Sequence, residues 1–302
     1  MAGFNKKSSQ KLQTFDPGTT LEAIAAIDNE DVLFTLVNSD QDRKIRLACI
    51  KKINDQENLI AIAKSHDDWL VREHAISRIS DEEALNNIVL NDPSEWVRAA
   101  ALKKISNQNI LRTVFQTDES SYIRSLAVRK IDDPELLSSI ATKEVFWDVR
   151  KAAVSGLSDQ AILERIAKKD SSQYVRGEAI KQVTNQDFLV TVVKKDPSFF
   201  VRKKATARIL DPAVLYEIFQ TDIHQEVRKA AKNSLINLGH AVTCKACLGT
   251  GQLYKKKNSA ADTLICSEDE TYPEFYSEQM SNLQDSLCPK CKGTGKLVKL
   301  IV

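Results

Sequence analysis

Asp92-Pro93-Ser94-Glu95-Trp96-Val97-Arg98-Ala99-Ala100-Ala101-Leu102-Lys103-Lys104-Ile105 decides the fold, because its Val-Arg pair is one of a series. Arg46, Arg72, Arg98, Arg124, Arg150, Arg176, Arg202 and Arg228 follow one another at intervals of 26 residues. Each follows a valine or isoleucine; a small residue comes three positions later and an aliphatic one seven positions later. In the quoted stretch these are Val97, Ala101 and Ile105, and spacings of four and four place them on one face of a helix. A polar residue comes next (Asn54, Ser80, Ser106, Asp132, Ser158, Thr184), and leucine then recurs at Leu59, Leu85, Leu111, Leu137, Leu163, Leu189 and Leu215. The polar residues are N-cap types. Asp92-Pro93, Asp196-Pro197 and Asp211-Pro212 put proline where a first helical turn accepts it. Each repeat therefore reads as two short helices, too small to bury their own apolar faces, so neighbours must stack.

The register runs backwards too: Ala23, Ile27, Leu33 and Leu36 fall where Cys49, Ile53, Leu59 and Ile62 fall one repeat later. Thr19-Thr20 replaces the Val-Arg pair, as in an N-terminal capping repeat, and the pattern stops at Leu238-Gly239. The quoted stretch resembles the HEAT-like repeats and the leucine-rich-repeat variant family, over roughly residues 19–239. The resemblance implies an all-α fold, a right-handed α-solenoid of about nine helical hairpins, whose members usually bind other macromolecules. Residues 1–18 form a flexible N-terminus in this reading, and residues 240–302 a separate module with an insertion at 252–287.

Lys+Arg of 43 against Asp+Glu of 41 leaves a formal net charge of +2, so no bulk field points to nucleic acid or an acidic membrane. Such a partner would need a local patch. No apolar run is long enough to span a bilayer, and Met1 to Gly18 has no apolar signal core. The expectation is a cytoplasmic protein without a membrane partner.

The repeated arginine falls inside the apolar stripe, and buried charges need partners. An acid stands six residues before seven of the eight arginines, with His66 in the eighth place, which points to an Arg–Asp ladder tying neighbouring repeats together. A second recurrence lies two residues before the arginine: Trp96, Tyr122, Tyr174 and Phe200. This position points away from the core stripe. Five residues after the arginine, on the same face, come Lys103, Arg129 and Lys181. Where Leu70 and Asp148 hold the aromatic slot, Trp69 and Trp147 come one residue earlier. These rings either pad the seams between repeats or form a partner-binding strip. The strip could clamp a peptide through apolar and cation–π contacts, or stack bases and hold phosphates.

The C-terminal part carries Cys244-Lys-Ala-Cys247-Leu-Gly249-Thr-Gly251 and Cys288-Pro-Lys-Cys291-Lys-Gly293-Thr-Gly295. Two CxxC knuckles supply four thiolates, enough for one closed tetrahedral zinc site of structural type. An iron–sulfur cluster or dithiol redox chemistry are the alternatives for Cys244, Cys247, Cys288 and Cys291. The two CxxCxGxG motifs resemble the cysteine-rich zinc domain of DnaJ-type chaperones. That family carries four motifs and two zincs, so two motifs imply one Zn2+ here, and the resemblance implies contact with unfolded protein. No His-Pro-Asp signature of a J-domain is present. Cys49 occupies a repeated alanine position and reads as core; Cys266 is an unassigned thiol in the insertion.

No nucleophile elbow, phosphate-binding loop, HExxH or dinucleotide fingerprint appears. His66, His74, His224 and His240 are scattered and read as surface or capping residues. A DNA glycosylase using Trp69, Trp96 or Trp147 with an acid is conceivable, but the near-neutral charge argues against it. The reading is a non-enzymatic scaffold or chaperone adaptor that holds a protein or peptide partner, with no small-molecule substrate. Nucleic-acid binding through the strip, Lys255 to Lys257 and the zinc module is the first alternative. A thiol oxidoreductase is the second.

Overall fold

The computed structural model describes residues 21–39 and 42–239, and four short strands beyond them. The chain divides into two compact units, residues 1–157 and 158–302.

The first unit holds α1 (Leu21–Ala25), α2 (Glu30–Val37), α3 (Arg43–Lys52), α4 (Gln56–Ser65), α5 (Trp69–Arg78), α6 (Glu82–Asn91), α7 (Glu95–Lys104), α8 (Gln108–Thr117), α9 (Ser121–Val128), α10 (Pro134–Lys143) and α11 (Trp147–Ser155). The arginine-bearing helices α3, α5, α7, α9 and α11 pack side by side, and each also packs against the helix before it. Val71, Ala75 and Ile79 are fully buried, as are Val97 and Ala101 at the equivalent places, so the four-and-four stripe is the core. Each such aliphatic side chain contributes about 1.5–3 kcal/mol by leaving water. In the capping repeat the buried residues are Ile24, Leu33, Leu36 and Val37, whereas Ala23 is exposed.

Three hydrogen-bond ladders link successive repeats here. In the first, Arg72 Nε and Nη2 donate to the two carboxylate oxygens of Asp92 at 2.8 and 3.0 Å. Arg98 does the same to Asp118 at 2.7 and 2.9 Å. Each arginine thus takes the acid of the following repeat, while its Nη1 donates to the backbone carbonyl six residues before it, that of His66 or Asp92. In the second ladder, a cation six residues after the arginine caps the preceding repeat. Lys52 donates to the Ala25 carbonyl, Lys104 to that of Ser77 and Lys130 to those of Leu102 and Lys103. In the third, Gln56 accepts from the Ser80 backbone N–H, as Gln108 does from that of Asp132.

That third ladder moves the caps. The residues that actually cap the second helices are Asp55, Asp81, Asn107 and Asp133, one position later than the sequence suggests. Of the preceding polar residues, Asn54, Ser80 and Asp132 give their own N–H to the neighbouring repeat instead. Pro134 is a first helical residue, whereas Pro93 lies ahead of the cap Ser94.

The second unit repeats this plan in α12 (Gln160–Lys169), α13 (Gln173–Ile180), α14 (Gln186–Lys195), α15 (Phe199–Thr206), α16 (Pro212–Thr221) and α17 (Gln225–Asn237). Helices α13, α15 and α17 pack in sequence. Arg176 holds Asp196 and Arg202 holds Asp222, each through two bonds. Four strands follow: β1 (Ala241–Thr243), β2 (Gln252–Leu253), β3 (Ser286–Leu287) and β4 (Lys296–Val298). β1 pairs antiparallel with β4, Thr243 opposite Lys296, and β2 with β3, Gln252 opposite Leu287. Both pairings share one register. β4 lies against α17.

Candidate partner-binding face

Within the first unit, three rings form a row along the stacked helices. The Trp69 and Trp96 centroids are 6.5 Å apart and those of Trp96 and Tyr122 6.2 Å. Trp96 is 54% exposed, and Trp69 and Tyr122 are exposed beside it. The spacing follows from the repeat: one ring per hairpin at equivalent positions brings neighbouring rings within contact range of one another. Trp69, which comes one residue before the aromatic slot, still joins the row. The rings therefore touch across the seams and also face solvent.

The row changes character at α11. Val145, Phe146 and Trp147 are consecutive exposed apolar residues, Val145 at 82%, and Phe146 stands where other repeats have a polar residue such as Ser94, Ser120 or Ser172. The Glu144 carboxylate accepts from the Val145 and Phe146 backbone N–H groups. Arg124 lies with its guanidinium 4.7 Å from the Phe146 ring centroid. Phe146 takes the N-cap position of α11 without a side-chain capping bond.

In the second unit Tyr174 meets Phe200 edge-on at 5.7 Å, with Tyr174 exposed and Phe200 half-buried. Lys204, one turn after Phe200, sits 4.5 Å over its ring. Gly177 lets the helices approach here: a Cβ on it would lie 3.1 Å from the Phe200 ring and 3.2 Å from the Lys204 chain. Lys103, Arg129 and Lys181 are exposed. The Lys181 ammonium, however, is bonded to the Glu178 carboxylate at 2.9 Å. The cations over rings come from Lys204 and Arg124, four residues after Phe200 and two after Tyr122. A search for aromatic–cation pairs one helical turn apart would have found Phe200 and Lys204; the Arg124–Phe146 contact joins two repeats and has no local signal.

The histidines have structural work. His66 stands where other repeats have aspartate. Its Nδ1 accepts from the Asp68 N–H at 3.0 Å and its Nε2 lies 3.2 Å from the Val37 carbonyl, which assigns the proton to Nε2. His74 Nδ1 lies 2.9 Å from the Leu70 carbonyl, a bond in which the ring donates. His224 caps α17 and stacks on Phe199 at 3.7 Å. Cys49 is fully buried, and burial pushes its thiol up to about 11, a core role rather than a reactive one.

Cys244, Cys247, Cys288 and Cys291 lie outside the described residues, as do Cys266 and Lys255 to Lys257. The strands bordering the two motifs are described. β1 and β2 enter and leave residues 244–251, β3 and β4 enter and leave residues 288–295, and β1 pairs with β4 as β2 does with β3. Among the described residues, no group of three or more His, Cys, Asp or Glu is placed to hold a metal ion. No helix among them is long and apolar enough to cross a membrane.

No protein-family model and no curated protein sequence matches the chain. Among the solved structures similar to it, the protein YibA of E. coli is 19% identical over 71% of this chain and 94% of its own, with a TM-score of 0.43. A designed armadillo repeat protein is 17% identical over 70% of this chain and all of its own, with a TM-score of 0.22. Both likenesses are remote. The helical-repeat, solenoid-like fold stands on the ladders and packing within each unit.

Proposed function

We propose that the chain is a non-enzymatic, cytoplasmic scaffold or chaperone adaptor that holds a polypeptide on its aromatic face. The observation that carries this reading is the row Trp69, Trp96 and Tyr122, exposed on helices whose positions are fixed by buried ion pairs. Rigid rings offer large contact area at small entropic cost, which is why tryptophan and tyrosine dominate protein-binding hot spots. The test is a Trp96→Ala/Tyr122→Ala/Tyr174→Ala variant, assayed for suppressing the aggregation of a chemically denatured model protein. Helicity is expected to stay while suppression falls at least about tenfold, on the scale of lost hot-spot residues. Suppression equal to that of the parent protein would remove the aromatic face from the account.

Nucleic-acid binding is the second reading, favoured by Lys204 over Phe200 and by Lys203 and Lys229 nearby. It requires affinity for an RNA or DNA pool that falls steeply with salt.

The second part of the proposal is one structural zinc ion held by Cys244, Cys247, Cys288 and Cys291. Four thiolates suit Zn2+. The shared register of β1–β4 and β2–β3 supports this reading, since it ties the ends of one motif to the ends of the other. Zinc there would join the two motifs to each other. Metal analysis is expected to give one equivalent per chain; less than about half would overturn the assignment, and activity in an insulin-reduction assay would favour thiol exchange.

A further inference from the structure

Between α15 and α17 the second unit carries a groove of about 340 Å3 on the same helix face as Tyr174 and Phe200. Lys203, Lys229, Ala207 and Ala230 line it, and Asn233 and Asn237 follow one turn apart along α17. Lys204 and Lys232 belong to the same two helices. One carboxylate is present, that of Glu226, and it is bonded to Lys203 at 2.8 Å. Ammonium and amide donors beside the methyl groups of Ala207 and Ala230 suit a ligand that combines carboxylates with flat apolar side chains.

The same chain contains such a ligand. From Asp262 to Asp285 there is no lysine or arginine, and Glu268, Asp269, Glu270, Glu274 and Glu278 are interleaved with Tyr272, Phe275 and Tyr276. We propose that this acidic, aromatic segment docks into the Lys203–Lys229 groove. Two further observations favour the chain's own segment over a separate acidic polypeptide. The stretch 254–285 starts at β2 and ends at β3, and β1 begins only a few residues after α17 while β4 lies against that helix. Tethering at this range raises the effective concentration to the millimolar scale. The reach also suffices: the residues from 254 to 268 span up to about 50 Å extended, against about 20 Å for the length of α17.

The test is zero-length carbodiimide coupling of the dilute full-length protein, in equal mixtures of isotopically heavy and light chains, with links mapped by mass spectrometry. Links from Glu268, Asp269, Glu270 or Glu274 to Lys203, Lys229 or Lys232 within one chain are expected, and they should fall several-fold at about 0.5 M salt, where the screening length drops to a few ångströms. In a Glu268→Gln/Asp269→Asn/Glu270→Gln variant, chymotrypsin is expected to cut after Phe275 and Tyr276 at least about fivefold faster, since cleavage tracks the undocked population. Links that go mainly to Lys255, Lys256 and Lys257, or spread evenly over exposed lysines such as Lys64 and Lys194, would overturn the proposal. So would heavy-to-light links only, or an unchanged cleavage rate. The denatured-protein assay of the aromatic variant reads none of these quantities, so the two proposals fail separately.

Discussion

Arg98 and Asp118 form a two-pronged pair, Nε to Oδ2 at 2.7 Å and Nη2 to Oδ1 at 2.9 Å, although twenty residues separate them and Asp92 is much nearer in sequence. Both side chains are 6% exposed. Removing one partner of such a pair strands a buried charge. Asp118→Ala is therefore expected to cost about 3–5 kcal/mol in urea unfolding followed by circular dichroism. Glu217→Ala, which breaks the half-exposed pair with Lys194, is expected to cost less than about 1 kcal/mol. Equal losses in the two variants would mean that the ladder is not what holds neighbouring repeats together.

A pH dependence follows from Asp222. Burial raises its pKa, but the Arg202 guanidinium and the His224 backbone N–H outweigh burial and hold the carboxyl below its usual value. A folded value below the unfolded value of about 4 means that the stabilisation is full above about pH 4. It is lost as pH falls through the folded value. Asp222→Asn is expected to be less stable at neutral pH and to show a shallower acid decline between about pH 4 and pH 2. Parallel stability curves for parent and variant would contradict this.

Lys130 donates to the Leu102 and Lys103 carbonyls at 3.0 and 2.9 Å, and burial lowers its pKa. Lys130→Met leaves two helix-end carbonyls without that donor and is expected to cost about 1–2 kcal/mol. Lys103→Met, on the exposed face, is expected to stay within about 0.5 kcal/mol in the same unfolding measurement.

Cys49 offers a probe of the first unit. Its side chain is sealed in α3 with the thiol pushed up to about 11. Iodoacetamide labelling of Cys49, followed by peptide mass spectrometry, is expected to wait on opening of this unit and to accelerate with urea. Labelling in native buffer as fast as a free thiol would show that α3 does not hold its place.

The repeat was legible because a 26-residue period fixes both the stripe Val97, Ala101, Ile105 and the length of a hairpin. What the period cannot say is which neighbour a polar side chain turns to. Asp92 lies six residues before Arg98 and twenty after Arg72, and only the stacked geometry gives its carboxylate to Arg72. The caps slipped by one for the same reason: Gln56 reaches across to the Ser80 N–H, leaving Asp81 to cap α6. The aromatic row was readable from spacing, while the rings' cations were not. Arg124 turns to Phe146 where the longer side chain of Glu144 is engaged with its own loop. The cysteine motifs stand on their own sequence, with only their bordering strands described.

That Arg72, Arg98, Arg176 and Arg202 each take a carboxylate from the hairpin that follows has an evolutionary corollary. Duplicating or excising a whole 26-residue block restores every such bond at the new junction, since the incoming aspartate occupies the place of the old one. Any other length leaves a cation facing the wrong residue. The ladder thus constrains the length of a repeat and leaves the number of repeats open.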